Sequence, residues 1–128
     1  VVLGSGIPQT MIGLNLTHQV LANPARAAAV AAITAGPARA VAGMMAHGLR
    51  RTRDAGAAMH DPCVIARLLR PALFGGRRAR VSVETADAVT LGRTAADWDH
   101  AEPNATVLET VDADGFFDLL TERLARLP

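Results

Sequence analysis

His60 and Asp61 put an imidazole beside a carboxylate immediately ahead of Pro62. Histidine titrates near neutrality, so it can hand a proton to a leaving group. A carboxylate at a helix N-terminus is held ionised by amide donors and the helix dipole, which suits it to a hard cation such as calcium. The same residues also read as an ordinary helix start. Asp61 is then the N-cap, Pro62 fills the first helical position, and His60 belongs to the preceding loop. The pair alone leaves both readings open.

Other reactive residues are weaker candidates. Cys63 follows His60 by three positions, but no oxyanion hole or orienting residue accompanies it. At the first turn of a helix it reads as a small buried filler. Arg50, Arg51 and Arg53 have the charge to bind phosphate; they read better as a solvated loop or as a helix C-terminus complementing the dipole. His18 and His47 are isolated in the sequence, and Met44 and Met45 read as core or flexible cover.

The elements that must hold these residues follow from patterning. Val1 to Leu3 read as a helix end, stopped by Gly4 and Gly6. Residues 9–17 form a nearly continuous apolar run, as in a strand buried on both faces. Asn23-Pro24 opens a helix to about Ile33, and Gly36-Pro37 separates it from a second, residues 38–52, with Val41, Met44, Met45 and Leu49 on one face. A basic connection, residues 50–59, leads to the helix begun by Asp61-Pro62. Its expected core stripe is Val64, Ile65, Leu68 and Leu69, with Arg67 and Arg70 outward. Pro71 and Gly75-Gly76 should end it. Residues 80–85 alternate as a strand, with Val89 to Leu91 as hairpin partner. A polar loop carries Trp98, expected to pack on the sheet. Residues 105–111 form another strand. Asp112 or Asp114 caps a last helix with Phe116, Leu120, Leu124 and Leu127 at helical spacing.

Composition bounds the rest. The 128 residues amount to one ordinary domain or a piece of a larger one, and 50% are hydrophobic, enough for a sizeable core. No lysine occurs; all 13 basic residues are arginine, and 12 acidic residues leave a net charge of +1. That balance, with few aromatics, disfavours a nucleic-acid partner. A single cysteine favours a reducing, intracellular compartment. No signal peptide or transmembrane run is recognisable. The chain opens Val1-Val2-Leu3 without methionine, which points to a start within a longer protein. A short sheet would also leave an apolar edge uncovered.

Three segments carry a resemblance to the C-terminal portion of the inosine-uridine preferring nucleoside hydrolases. Gln9-Thr10-Met11-Ile12-Gly13-Leu14-Asn15-Leu16-Thr17-His18-Gln19 resembles the family's strand ending in a Leu-Asp-Val-Thr-His type motif. Met59-His60-Asp61-Pro62-Cys63-Val64-Ile65-Ala66 is similar to its His-Asp-Pro-Cys-Ala-Val-Ala helix start. Val81 to Thr85, Gly92 to Thr94 and Pro103-Asn104-Ala105 resemble its terminal hairpin and following strand. The match keeps one register over nearly the whole chain, which makes the three segments specific together.

The resemblance implies an α/β fold in which residues 1–128 form the C-terminal part of an open mixed sheet with flanking helices. The histidine at the His60 position would protonate the departing base of inosine-type substrates. Asp61 would ligate calcium (Ca2+) and contact the ribose, while calcium holds the attacking water and the ribose diol. The reaction is hydrolysis of an N-glycosidic bond to ribose and free base. The implied partner is a small-molecule nucleoside, with no membrane or nucleic acid, and the intact enzyme would be homo-oligomeric and cytoplasmic. The sequence departs from the pattern in several places. The family's N-terminal Asp-rich calcium motif and its ribose-gripping Asn and Glu stretch do not occur, Asn15 stands where Asp is common, and the helix before His60 lacks Tyr. Asp61 alone cannot supply the six to eight oxygens calcium takes. The chain by itself is therefore expected to be inactive. The alternatives are a non-enzymatic remnant, acting as a binding or assembly module through its exposed sheet edge, and a separate hydrolase built on Cys63.

Overall fold

Gly13, Asn23-Pro24, Gly36-Pro37, Asp61-Pro62 and Asp112 punctuate the chain, and each lies at an element boundary in a computed structural model that describes residues 1–52 and 56–128. The elements are β1 (Thr10–Ile12), α1 (Leu14–Thr17), β2 (Leu21–Ala22), α2 (Pro24–Ala31), α3 (Gly36–Arg51), β3 (Ala57–Ala58), α4 (Pro62–Leu69), β4 (Phe74–Val83), β5 (Thr94–Asp97), β6 (Ala105–Val111) and α5 (Ala113–Ala125). Single 3-10 turns occupy Val2–Gly4 and Pro71–Leu73. Asn23 accepts from Arg26 N at 2.9 Å and Asp112 from Gly115 N at 3.0 Å, so two of the expected caps form, Asp112 being the one used in α5.

The main sheet runs β1-β6-β4-β5, with β1 parallel to β6 and the other pairs antiparallel. Helices flank it, giving the expected open mixed α/β sheet. A separate two-stranded ribbon joins β2 to β3, pairing Leu21 with Ala58 and Ala22 with Ala57. It lies partly in what the sequence reads as a plain connection. Arg53 lies outside the described residues.

The strand buried on both faces is β6, not β1. Val107 and Leu108 are successive and point to opposite sides. Leu108 joins the main core of Leu16, Val30, Met45, Phe116, Leu119 and Leu124. Val107 joins a smaller layer of Ala79, Val81 and Ala105, against which Leu3, Met11 and Trp98 pack. Trp98 sits on the sheet as expected, with the Arg77 guanidinium 4.2 Å from its ring centroid. β1 is an edge strand with one neighbour. It is also shorter than expected, because the apolar run turns at Gly13 into α1, and a helical turn then buries Leu16 and Thr17.

Two further expectations fail locally. Gly75-Gly76 does not end an element but lies inside β4, at a register shift against β6. Val89 to Leu91 belong to a turn. Glu84 accepts from the amides of Ala86 and Asp87, which hold its carboxyl below the usual range, and Asp87 accepts from Val89 and Thr90. Gly92 takes φ +82, and the strand that pairs with β4 is β5.

The largest correction concerns α4. Val64, Ile65, Leu68 and Leu69 are 49, 57, 73 and 50% exposed, while Cys63 and Ala66 face the core. Arg70 is half-buried and reaches Glu122 of α5 at 3.0 Å. Apolar residues occupy almost every position of this helix, so their spacing does not select one face. Among the described residues the Cys63–Ala66 side packs into the core, while Ile65 and Leu69 border an open groove against α5. Met44 is likewise exposed, leaving Met45 and Ala38 as the buried residues of α3. In α5, Phe116 and Leu124 are buried and Leu120 half-buried as expected, together with Phe117 and Leu119, whereas Leu127 lies past the helix end and is exposed.

Candidate active site

His60 is held where the β2–β3 ribbon hands the chain to α4. Met59 N donates to Val20 O at 2.9 Å just before it, and Cys63 N donates to His60 O at 3.1 Å just after. Its backbone is thus tied on both sides. The ring is tied as well, since Thr17 Oγ1 lies 2.9 Å from His60 Nδ1. Thr17 is buried at 4% exposure, at the end of α1. A hydroxyl can either accept from or donate to an imidazole nitrogen, so this contact holds the ring in both protonation states. Among the described residues Nε2 has no hydrogen-bond partner.

His18 is the next residue after α1. Its ring centroid lies 5.7 Å from that of His60, at an interplanar angle of 52°. The reading of His18 as isolated is therefore wrong; the fold brings Thr17, His18 and His60 to one spot. Their association could have been noticed from the Thr-His pair that ends the first resembling segment. Both histidines line an open cleft of about 560 Å³, closed on other sides by Leu21, Gly48, Arg51 and the ribbon. Arg50 and Arg51 end α3, as the dipole argument expects, and Arg51 reaches this cleft.

Asp61 is arranged differently from expectation. It occupies the N-cap position of α4 but makes no side-chain capping bond. Its backbone is already helical, at φ −59 and ψ −37, rather than in the extended conformation that turns a cap side chain back onto the first amides. Pro62 also has no N–H to offer. Asp61 borders a different depression from His60, an apolar groove of about 410 Å³ between α4 and α5 that includes Ile65, Leu69, Leu119 and Leu120. Among the described residues no three His, Cys, Asp or Glu side chains converge to hold a metal ion. None of the helices among the described residues is long and apolar enough to cross a membrane.

Cys63 is fully buried, its Sγ donates to Met59 O at 2.9 Å, and burial pushes its thiol up to about 11. Only about one thiol in a thousand is ionised at pH 8, and the thiolate is the reactive form. Iodoacetamide at pH 8 should label the folded chain at least about 100-fold more slowly than the unfolded chain. Mass spectrometry of timed aliquots measures this, and equal rates would contradict the burial argument.

Comparison with known proteins gives a consistent result. The description "Inosine-uridine preferring nucleoside hydrolase" belongs to the family whose profile matches residues 1–118. An uncharacterized protein of Schizosaccharomyces pombe is 37% identical, aligning 99% of this chain to 43% of its own length. The pyrimidine-specific ribonucleoside hydrolase RihA of Shewanella sp. (strain ANA-3) is 41% identical over 98% of this chain and 42% of its own. A solved purine-preferring ribonucleoside hydrolase from Gardnerella vaginalis superposes with a TM-score of 0.83 at 24% identity, covering 97% of this chain and 42% of that one. The chain thus spans somewhat less than half the length of the relatives it matches. It belongs to the inosine-uridine preferring nucleoside hydrolase family.

Proposed function

We propose that these 128 residues supply the acid side of a ribonucleoside hydrolase active site, as the C-terminal part of a larger domain. The observation that carries this reading is the bond between Thr17 and His60. It orients one imidazole nitrogen inward and leaves the other available at the cleft. Water adds to the ribose carbon as the N-glycosidic bond breaks, its proton passing to a base that the rest of the domain would supply, and His60 gives its own proton to the departing base. Ribose and neutral base are the products. Proton donation matters because an anionic base is a poor leaving group. His18 and Thr17 keep the ring in place.

Asp61 is the proposed metal and ribose ligand. Its carboxylate makes no capping bond and suits a hard cation as one oxygen donor. As a set, the described residues do not fit calcium, which needs six to eight oxygens. The other ligands would come from the part of the hydrolase domain that this chain does not span. Bound there, calcium would position the attacking water and the ribose hydroxyls. The RihA relatives are named as pyrimidine-specific, which supports uridine and cytidine as first substrates, with inosine beside them. The single cysteine supports a cytoplasmic setting.

The test compares the chain alone with an assembled enzyme, in which the N-terminal portion of the Shewanella relative is joined ahead of Val1. The chain alone should not hydrolyse a chromogenic riboside in calcium. The assembled enzyme should release ribose from uridine, and chelation should abolish this. Calcium-dependent turnover by the chain alone would show that the site is already complete. An inert assembled enzyme, folded and calcium-loaded, would sink the hydrolase reading.

A further inference from the structure

β5 lies at the opposite edge of the main sheet from β1, and among the described residues β4 is its one neighbour. All of β5, Thr94 to Asp97, is exposed. Two contacts show which of its peptide groups are free. Glu84 N donates to Arg93 O at 2.9 Å, so the carbonyl of Arg93 faces β4. Val81 N donates to Asn104 Oδ1 at 2.7 Å, and Val81 O accepts from Asn104 Nδ2 at 2.9 Å. Val81 thus bonds away from Ala96, the residue opposite it in β5. An antiparallel ladder alternates bonded and non-bonded pairs. Both contacts therefore put the N–H and C=O of Thr94 and of Ala96 on the outer side of β5. Such an edge is a template for another strand.

The side chains select that strand. Residues 93–97 read Arg-Thr-Ala-Ala-Asp, basic at one end and acidic at the other, with nothing bulky between. Laid antiparallel on a second copy, about a two-fold axis at Ala95, Thr94 of each copy falls opposite Ala96 of the other. That is a bonded pair, so each outward N–H meets an outward C=O. Arg93 of each copy then lies opposite Asp97 of the other, in the non-bonded pairing where side chains come closest. Arg93 makes no ion pair among the described residues. Asp97 accepts from Asp99 N through Oδ1, which leaves Oδ2 for an incoming guanidinium. Arg93 and Ala95 also line a shallow depression of about 400 Å³, open to a carboxylate arriving from the second copy. Any other register of the same parity takes Arg93 off Asp97.

We infer that β5 is a self-pairing edge, through which two copies of this chain join about a two-fold axis at Ala95 into one continuous sheet, held at each end by an Arg93–Asp97 ion pair. None of the candidate site residues lies on this edge, so the inference stands apart from the hydrolase reading.

Sedimentation velocity of the 128-residue chain over a concentration series should show a monomer–dimer equilibrium. Arg93→Glu and Asp97→Arg should each weaken it about tenfold or more, because like charges then face each other at both ends. Mixing the two variants should restore a dimer, since each reversed charge then meets its opposite and the native Asp97 of one still meets the native Arg93 of the other. A variant that failed to fold could not be rescued in this way. Cysteine placement reads the register directly. Ala95→Cys puts two thiols on the axis, with Cα atoms about 4.5 Å apart and within disulfide reach. A mild oxidant should cross-link this variant to a covalent dimer. Thr94→Cys, which falls opposite Ala96, should cross-link at least about tenfold more slowly. Native Cys63 is buried and takes no part. A chain that stays monomeric throughout the series overturns the inference. So do charge variants that stay apart when mixed, or equal cross-linking at the two positions. A dimer lost in Ile65→Glu but kept in Arg93→Glu would assign the association to α4 and overturn it as well.

Discussion

Gly76→Ala should destabilise the chain by about 3 kcal/mol, at the upper end of overpacking costs. Gly76 sits where β4 shifts register: Gly75 pairs with Thr110, and Gly76 with Leu108. A Cβ built there would collide with Val107 O and lie 2.7 Å from Leu108 Cα. Both are backbone atoms of the central strand, so no side-chain rotation relieves them, and the two strands must separate. Gly75 is the control. Its added Cβ meets Thr110 Oγ1 at 2.5 Å, a side-chain atom that can rotate away. Gly75→Ala should cost under about 1 kcal/mol. For a chain of this size the difference corresponds to a melting point lower by about 10 °C in Gly76→Ala. Circular dichroism melts of both variants measure it. Equal losses would mean that the register shift does not depend on the missing side chain.

That pair of glycines also shows what the sequence could not disclose. Gly75-Gly76 after Pro71 has the composition of a helix stop, yet it is a close approach between strands, and only the partner strand distinguishes the two. Helix starts were legible because the cue is local. Asn23, Pro37 and Asp112 act through neighbouring amides or their own ring, and they stand where expected. β6 and α5 were legible because each has a long period-matched pattern. The face of α4 was not, since a helix apolar on nearly all sides takes its orientation from whatever surrounds it. At the site, His60 and Asp61 are legible from resembling motifs, but nothing in the Asp-Pro pattern discloses that Asp61 forgoes its cap. Thr17 was read as part of a strand, and that misplacement hid its contact with His60 across 43 residues.

His60→Ala in the assembled enzyme should lower kcat on uridine or inosine by about 100-fold or more, within the range of general acid catalysis. The same change should lower kcat on a nitrophenyl riboside by less than about threefold. A nitrophenolate leaves as a stable anion and needs no proton, so it bypasses the step assigned to His60. Loss confined to natural nucleosides therefore isolates proton donation from folding, metal binding and ribose contacts, all of which serve both substrates equally. Thr17→Val tests the support for that ring. It removes the hydroxyl 2.9 Å from Nδ1 and should cost about tenfold in kcat on uridine, with KM little changed. Thr17→Ser restores a hydroxyl and should recover most of the rate. Steady-state kinetics on the two substrate types decide the matter. Equal losses on both would make His60 a residue that shapes the cleft rather than one that hands over a proton, and the Thr17 contact would then be packing alone.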